Sequence, residues 1–201
     1  MDTDNDIESA RKFLTGGDWR QWGELCRDRE SAMIETRDFD GFLRFHDAGL
    51  RFATTPEQFE QIQIRDIGRF RKGFGRCLSR GLKKARSQAA IRALYFEYFY
   101  DGGDASDGNL FLCQAFDVDD EEWAAEFAED GVIPGPSILP WLHYDPELEF
   151  PEDVRKVADV YVDAHLLVAC LREIEAMGGI EYPFGFARHD GPIALKLPDR
   201  G

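Results

Sequence analysis

Apolar and polar residues recur along this chain with two periods, and the period changes near residue 91. Up to that point the apolar positions fall at three- and four-residue spacing, as on one face of a helix. Residues 6 to 14, DIESARKFL, make a short amphipathic segment that ends at Gly16-Gly17. Asp18 then reads as the N-cap of a helix carrying Trp19, Trp22, Leu25 and Cys26. A further helical pattern runs from Asp38 through Phe52, with Phe42, Phe45 and Leu50 near helical spacing. In ATTPEQFEQI, Thr55 supplies a cap, Pro56 takes the first helical position and Glu57 follows, which predicts another helix start.

Positions 65 to 86, RDIGRFRKGFGRCLSRGLKKAR, carry the sharpest pattern. At about 100° per residue, Arg65, Arg69, Lys72, Arg76, Arg80 and Lys83 share one face. Ile67, Phe70, Phe74, Cys77, Leu78 and Leu82 share the opposite one. Gly68, Gly73, Gly75 and Gly81 each weaken such a helix by about 1 kcal/mol relative to Ala. The pattern therefore predicts a helix that depends on tertiary packing, with glycines that let a neighbour come close.

From residue 91 the texture is that of strands. IRALYFEYFY and NLFLCQAF flank the polar turn segment DGGDASDG, which predicts a β-hairpin. Phe96, Tyr98 and Tyr100 alternate with Tyr95, Glu97 and Phe99, so both faces of the first strand are largely apolar. Such a strand belongs at the centre of a sheet, with helices over at least one face. DVDDEEWAAEFAEDG predicts a short, very acidic helix, followed by a long irregular connection from 134 to 151 that holds five of the nine prolines. A long helix from Glu152 to about Met177 ends at Gly178-Gly179, and YPFGFARHDGPIALKLPD reads as two strands turning at His189-Asp190-Gly191. These elements predict a single α+β domain over 1–201. Its helical N-terminal half packs on an antiparallel sheet built from the aromatic hairpin and a C-terminal hairpin.

Composition narrows the class. A chain of 201 residues, 43% hydrophobic and 13% aromatic, supports a substantial core. No apolar run approaches the roughly 20 residues that span a bilayer, so no membrane association is expected. The N-terminus opens with three Asp residues instead of a basic, then apolar, secretory signal, which predicts a cytoplasmic protein. Cys26, Cys77, Cys113 and Cys170 are scattered without the close pairs of a zinc site, and read as small buried hydrophobes.

Charge separates the candidate functions. The formal net charge is −15, yet nine of 24 basic residues and only one of 39 acidic residues lie in 65–86, leaving −23 elsewhere. Such a surface repels phosphates and acidic surfaces and attracts basic partners. Nucleic-acid binding through the basic helix is accordingly disfavoured, the more so because its would-be stacking residues, Phe70 and Phe74, lie opposite the charge. The simplest account of the cations is internal: the apolar face docks on the sheet, and Arg69 and Arg76 meet Asp or Glu of this chain or of a second copy.

Catalytic patterns are thin. His143 and Asp145 in WLHYDPE are the best enzyme candidates, set against an ordinary surface loop pinned by Trp141 and Tyr144. Asp159 and Asp163 share a helical face, but His165 is rotated away from them, which argues against a shared metal. His189-Asp190 lacks the further ligands of an HD phosphohydrolase, and DGGDASDG lacks the spacing of an EF-hand. There is no GxGxxG after a strand, no GxxxxGK[ST] and no GxSxG. No catalytic residue, metal or cofactor is predicted.

The favoured reading is an acidic protein that neutralises a basic protein partner. The partner-binding strip comprises Asp117, Asp119, Asp120, Glu121, Glu122 and Glu126, with Trp123 and Phe127 as anchors. The aromatic strand ALYFEYFY, the Asp/Gly turn, the late helix and GGIEYPFGFARHDGPIALKLPD together resemble the layout of bacterial toxin-immunity proteins. That resemblance covers the second half of the chain and implies a toxin as partner, typically encoded beside its inhibitor.

Overall fold

The computed structural model describes residues 3–64, 67–99, 107–117, 119, 122–137, 142–143, 151–189 and 195–197. The chain forms two bodies, one of positions 1–63 and 147–168, the other of 64–146 and 169–201. Among the described residues the helices are α1 (Thr3–Gly16), α2 (Trp19–Thr36), α3 (Phe39–Ala53), α4 (Pro56–Gln61), α5 (Ile67–Arg86) and α6 (Glu152–Ala176). The strands of the main sheet are β1 (Ala93–Tyr98), β2 (Asp107–Cys113), β3 (Phe127–Ser137), β4 (Phe184–Arg188) and β5 (Leu195–Leu197). The architecture is α+β.

The first body is helical, and its helix starts are those the sequence marks. Asp18 accepts from the Gln21 N–H at 3.2 Å, and Asp38 from the Gly41 N–H at 2.9 Å. Thr55 and Gln58 form a reciprocal capping box before α4. These caps satisfy backbone donors that a helix N-terminus leaves open, each worth about 1 kcal/mol. Trp22 of α2 stacks on Phe45 of α3 with ring centroids 5.2 Å apart, and Met33, Phe42 and Leu50 are buried with them. α6 contributes its turns up to Val168 here and its last two turns to the second body.

The second body is built on a five-stranded sheet in the order β3-β2-β1-β4-β5. Both expected strand pairs form, β1 with β2 and β4 with β5, each antiparallel; the turn residues 101–106 and 190–194 lie outside the described residues. β1 lies at the centre, as its two apolar faces require. The sheet is nevertheless mixed and not antiparallel throughout, because β1 pairs with β4 in parallel, Leu94 opposite Phe184 and Phe96 opposite Phe186. The first strands of the two pairs are neighbours. The connection between them, which includes α6, returns the chain to the end of the sheet where β1 begins.

The acidic helix expected over 117–130 is also corrected. Among the described residues of that segment only Glu122–Ala125 turn, as a short 3-10 segment, and from Phe127 the chain becomes edge strand β3. β2 would otherwise leave a row of backbone donors and acceptors unpaired, and β3 satisfies them with Leu110 opposite Ile133 and Phe111 opposite Val132. The irregular connection shortens accordingly, since Pro134 to Ser137 belong to β3. Pro134 and Pro136 suit an edge strand, where a missing N–H costs no ladder bond.

One sheet face is covered by α5. Phe70 and Phe74 lie against Phe96 at 6.2 and 5.0 Å, and Phe74 against Phe184 at 6.0 Å. Gly81 is required here, because a Cβ at that position would collide with Leu110 of β2. On the other face, Ala93, Tyr95, Cys113 and Ala187 form a second core closed by Trp123. α6 ends where the Gly179 N–H reaches Ile174 O and the Gly178 N–H reaches Glu175 O, both at 2.9 Å, with both glycines at positive φ. No helix among the described residues is long and apolar enough to cross a membrane.

Candidate functional site

The apolar side of α5 is committed to the sheet, so its basic side must face outward. Arg69, Lys72, Arg76 and Arg80 are all exposed. They line one wall of a groove of about 860 Å³ in the second body. Gly135, Pro136 and Ser137 at the end of β3 line it as well, with Glu173 and Met177 from the end of α6. Gly73 keeps the α5 backbone close to β3, since a Cβ there would stand 2.6 Å from that of Pro136. Cys77 Sγ lies 3.5 Å from Ile133 O, and Arg80 donates to Pro134 O at 2.7 Å. These bonds fasten the helix along the edge strand and set the groove's width.

Arg76 is not quenched in the way the sequence predicts. The acidic partners of α5 meet other residues: Arg71 pairs with Glu173 at 3.4 Å, Lys84 with Asp130 at 2.9 Å, and Arg86 with Glu181. Arg76, expected to contact Asp or Glu, makes no ion pair or hydrogen bond with a described residue, and neither does Lys72. Lys83 is exposed but does not line the groove, and Arg65 lies outside the described residues. Among the described lining residues there are four cations and one carboxylate, Glu173, which Arg71 engages.

The acidic strip is divided by the fold. Asp117, Asp119, Glu122 and Glu126 are exposed, while Asp120 and Glu121 lie outside the described residues. Trp123 is only 3% exposed and packs against Phe116 and Tyr95 at 5.2 and 6.0 Å. It is a core residue and not a partner anchor. Phe127 is 41% exposed, at 5.0 Å from Phe111, and remains available. Phe70 and Phe74 are buried and cannot stack on bases.

Other candidates stand apart. His143 lies in a short extended piece, Leu142–His143, and Asp145 lies outside the described residues. His165 bonds to Asp47 at 2.9 Å, not to Asp159 or Asp163. His189 pairs with Glu97 at 3.3 Å. Among the described residues no three His, Cys, Asp or Glu side chains are grouped to hold a metal. Burial pushes the thiols of Cys26 and Cys170 well above their ordinary range, that of Cys77 to about 11 and that of Cys113 to about 12. Buried protonated thiols are poor nucleophiles.

Two features carry no sequence signal. The far wall of the groove comes from residues about 60 and 100 positions beyond α5, and nothing local marks Pro136 or Met177 as its neighbours. In the first body, Arg29 is buried with Asp6 as its ion-pair partner, 5.6 Å from the Phe45 ring. His46 is buried among Trp22, Phe42 and Phe45. Compared with known proteins, the chain matches no family model, no curated protein and no solved structure.

Proposed function

We propose that the protein is a binding protein that holds an anionic ligand in the groove between α5 and the end of β3. One observation carries this reading: four exposed cations on a single helical face line a concave site in a chain of net charge −15. Helix geometry places them within an arc of about 80°. An opposite charge 4 Å from one of them gains about 1 kcal/mol in water and about 4 kcal/mol at the effective dielectric of a protein surface. Screening over about 8 Å at physiological salt lets this local field outweigh the acidic surface farther away. The lining supplies cations and the Ser79 and Ser137 hydroxyls, which is equipment for holding an anion. The test is calorimetric titration with poly-L-glutamate, tripolyphosphate and a dT oligonucleotide, on wild type and on the Lys72→Glu/Arg76→Glu double variant. At least one anion should bind wild type and lose tenfold or more in the variant. If none binds in a groove-dependent way, the reading fails.

A second reading keeps the acidic surface as the contact site for a basic protein partner of toxin type. What favours it is the exposure of Asp117, Asp119, Glu122 and Glu126 around the exposed Phe127. Under this reading the chain co-purifies with the product of an adjacent toxin-like gene, and Glu122→Lys/Glu126→Lys abolishes that association. Retention of the complex by this variant would remove the strip as its site.

A further inference from the structure

We infer that the ligand of the groove is an extended acidic polypeptide segment with carboxylates at alternate positions. This deepens the anion-binding reading and rests on it. Three observations select the class. First, the cations leave the helix at points strung along its axis. Arg69, Lys72, Arg76 and Arg80 are spaced by three, four and four residues, or about 4.5, 6 and 6 Å along the helix axis. A lone phosphate needs donors gathered around it, and amides in a helix interior are already engaged within the helix. The stripe instead matches a row of anionic groups about 16 Å long.

Second, the repeat fits an extended chain. In a strand, side chains on one face recur about every 6.6–6.8 Å, close to the rise of about 6 Å between helix positions i and i+4. Alternate Glu or Asp residues of an extended segment therefore meet successive cations of α5 without a change of register over three contacts. Third, the described residues of the lining include no aromatic side chain. Proteins that take single-stranded nucleic acid combine a basic groove with stacking platforms, and here Phe70 and Phe74 are turned into the core. Pro136 and the exposed Met177 instead give the opposite wall apolar surface for residues between the carboxylates.

The experiment uses a rhodamine-labelled decapeptide, (Glu-Ser)5, titrated with the full-length protein at 100 mM salt and read by fluorescence anisotropy. The peptide should bind, and Lys72→Glu/Arg76→Glu should weaken binding at least tenfold. The milder Lys72→Gln/Arg76→Gln variant, checked for native circular dichroism, should weaken it at least threefold. Unlabelled tripolyphosphate and dT10 should displace the peptide only at tenfold or higher excess over unlabelled peptide. Displacement by either at equal concentration overturns the peptide assignment while leaving an anion-binding groove in place. No binding of the peptide, with tripolyphosphate or dT10 binding in titrations sensitive to Lys72→Glu/Arg76→Glu, also overturns it. Absence of groove-dependent binding by all three overturns both readings.

Discussion

Burial, followed by the Asp163 charge, lifts the pKa of Glu30 in α2 from 4.5 to about 7. The folded protein holds this proton more tightly than the unfolded chain. Its contribution to stability is therefore complete below pH 4.5 and is lost as pH rises through about 7. Such a shift corresponds to roughly 3 kcal/mol. Glu30→Gln should gain up to about that much on wild type between pH 4.5 and 8 in urea unfolding. A difference independent of pH would show that Glu30 ionises normally. His46 behaves oppositely. Burial, then the nearby His165 and Arg29, lowers its pKa to about 3, and its ring nitrogens find no hydrogen-bond partner among the described residues. Its contribution is complete above pH 6.5 and is lost as pH falls through about 3. His46→Leu should flatten this acid limb by a few kcal/mol, read from urea midpoints at pH 6.5 and 4. An unchanged limb would mean that His46 protonates freely. Between pH 4.5 and 6.5 the two groups act in opposite directions and largely cancel.

At the scale of elements, the acidic segment shows how a pattern is outvoted. Trp123 and Phe127 stand four residues apart among Glu and Ala, a spacing that reads as one helical face. The open edge of β2 required a partner strand, so the helix stops after Ala125 and the two aromatics part company. Trp123 closes the core on the far face of the sheet, while Phe127 stays at the surface. Trp123→Ala should then cost about 3–5 kcal/mol in urea unfolding, and Phe127→Ala less than about 1 kcal/mol. Equal losses would return Trp123 to the surface. α5 was more legible, because its apolar face is read directly from a 3.6-residue period and its core contacts follow from that face. The parallel pairing of β1 with β4 was not. Strands 85 residues apart leave no turn to set their relative direction.

For the whole molecule, binding in the groove is linked to stability. A ligand at 100 times its Kd adds about 2.7 kcal/mol if it binds only the folded state. For a chain of this size that is a rise in Tm of roughly 5–10 °C. The (Glu-Ser)5 peptide should produce such a rise by differential scanning fluorimetry in wild type and none in Lys72→Glu/Arg76→Glu. An equal rise in both would place the peptide elsewhere. The caps at Asp18 and Thr55, the amphipathic α5, the two apolar faces of β1 and the glycine end of α6 were all determined by sequence alone. Each depends on residues within a few positions of one another. The basic stripe was legible for the same reason. Which cations meet carboxylates, which strand covers β2, and the groove beside Lys72 and Arg76 were decided only by tertiary structure. They depend on residues such as Pro136, Glu173 and Met177, which the chain brings to α5 from far away, and no local period records that encounter.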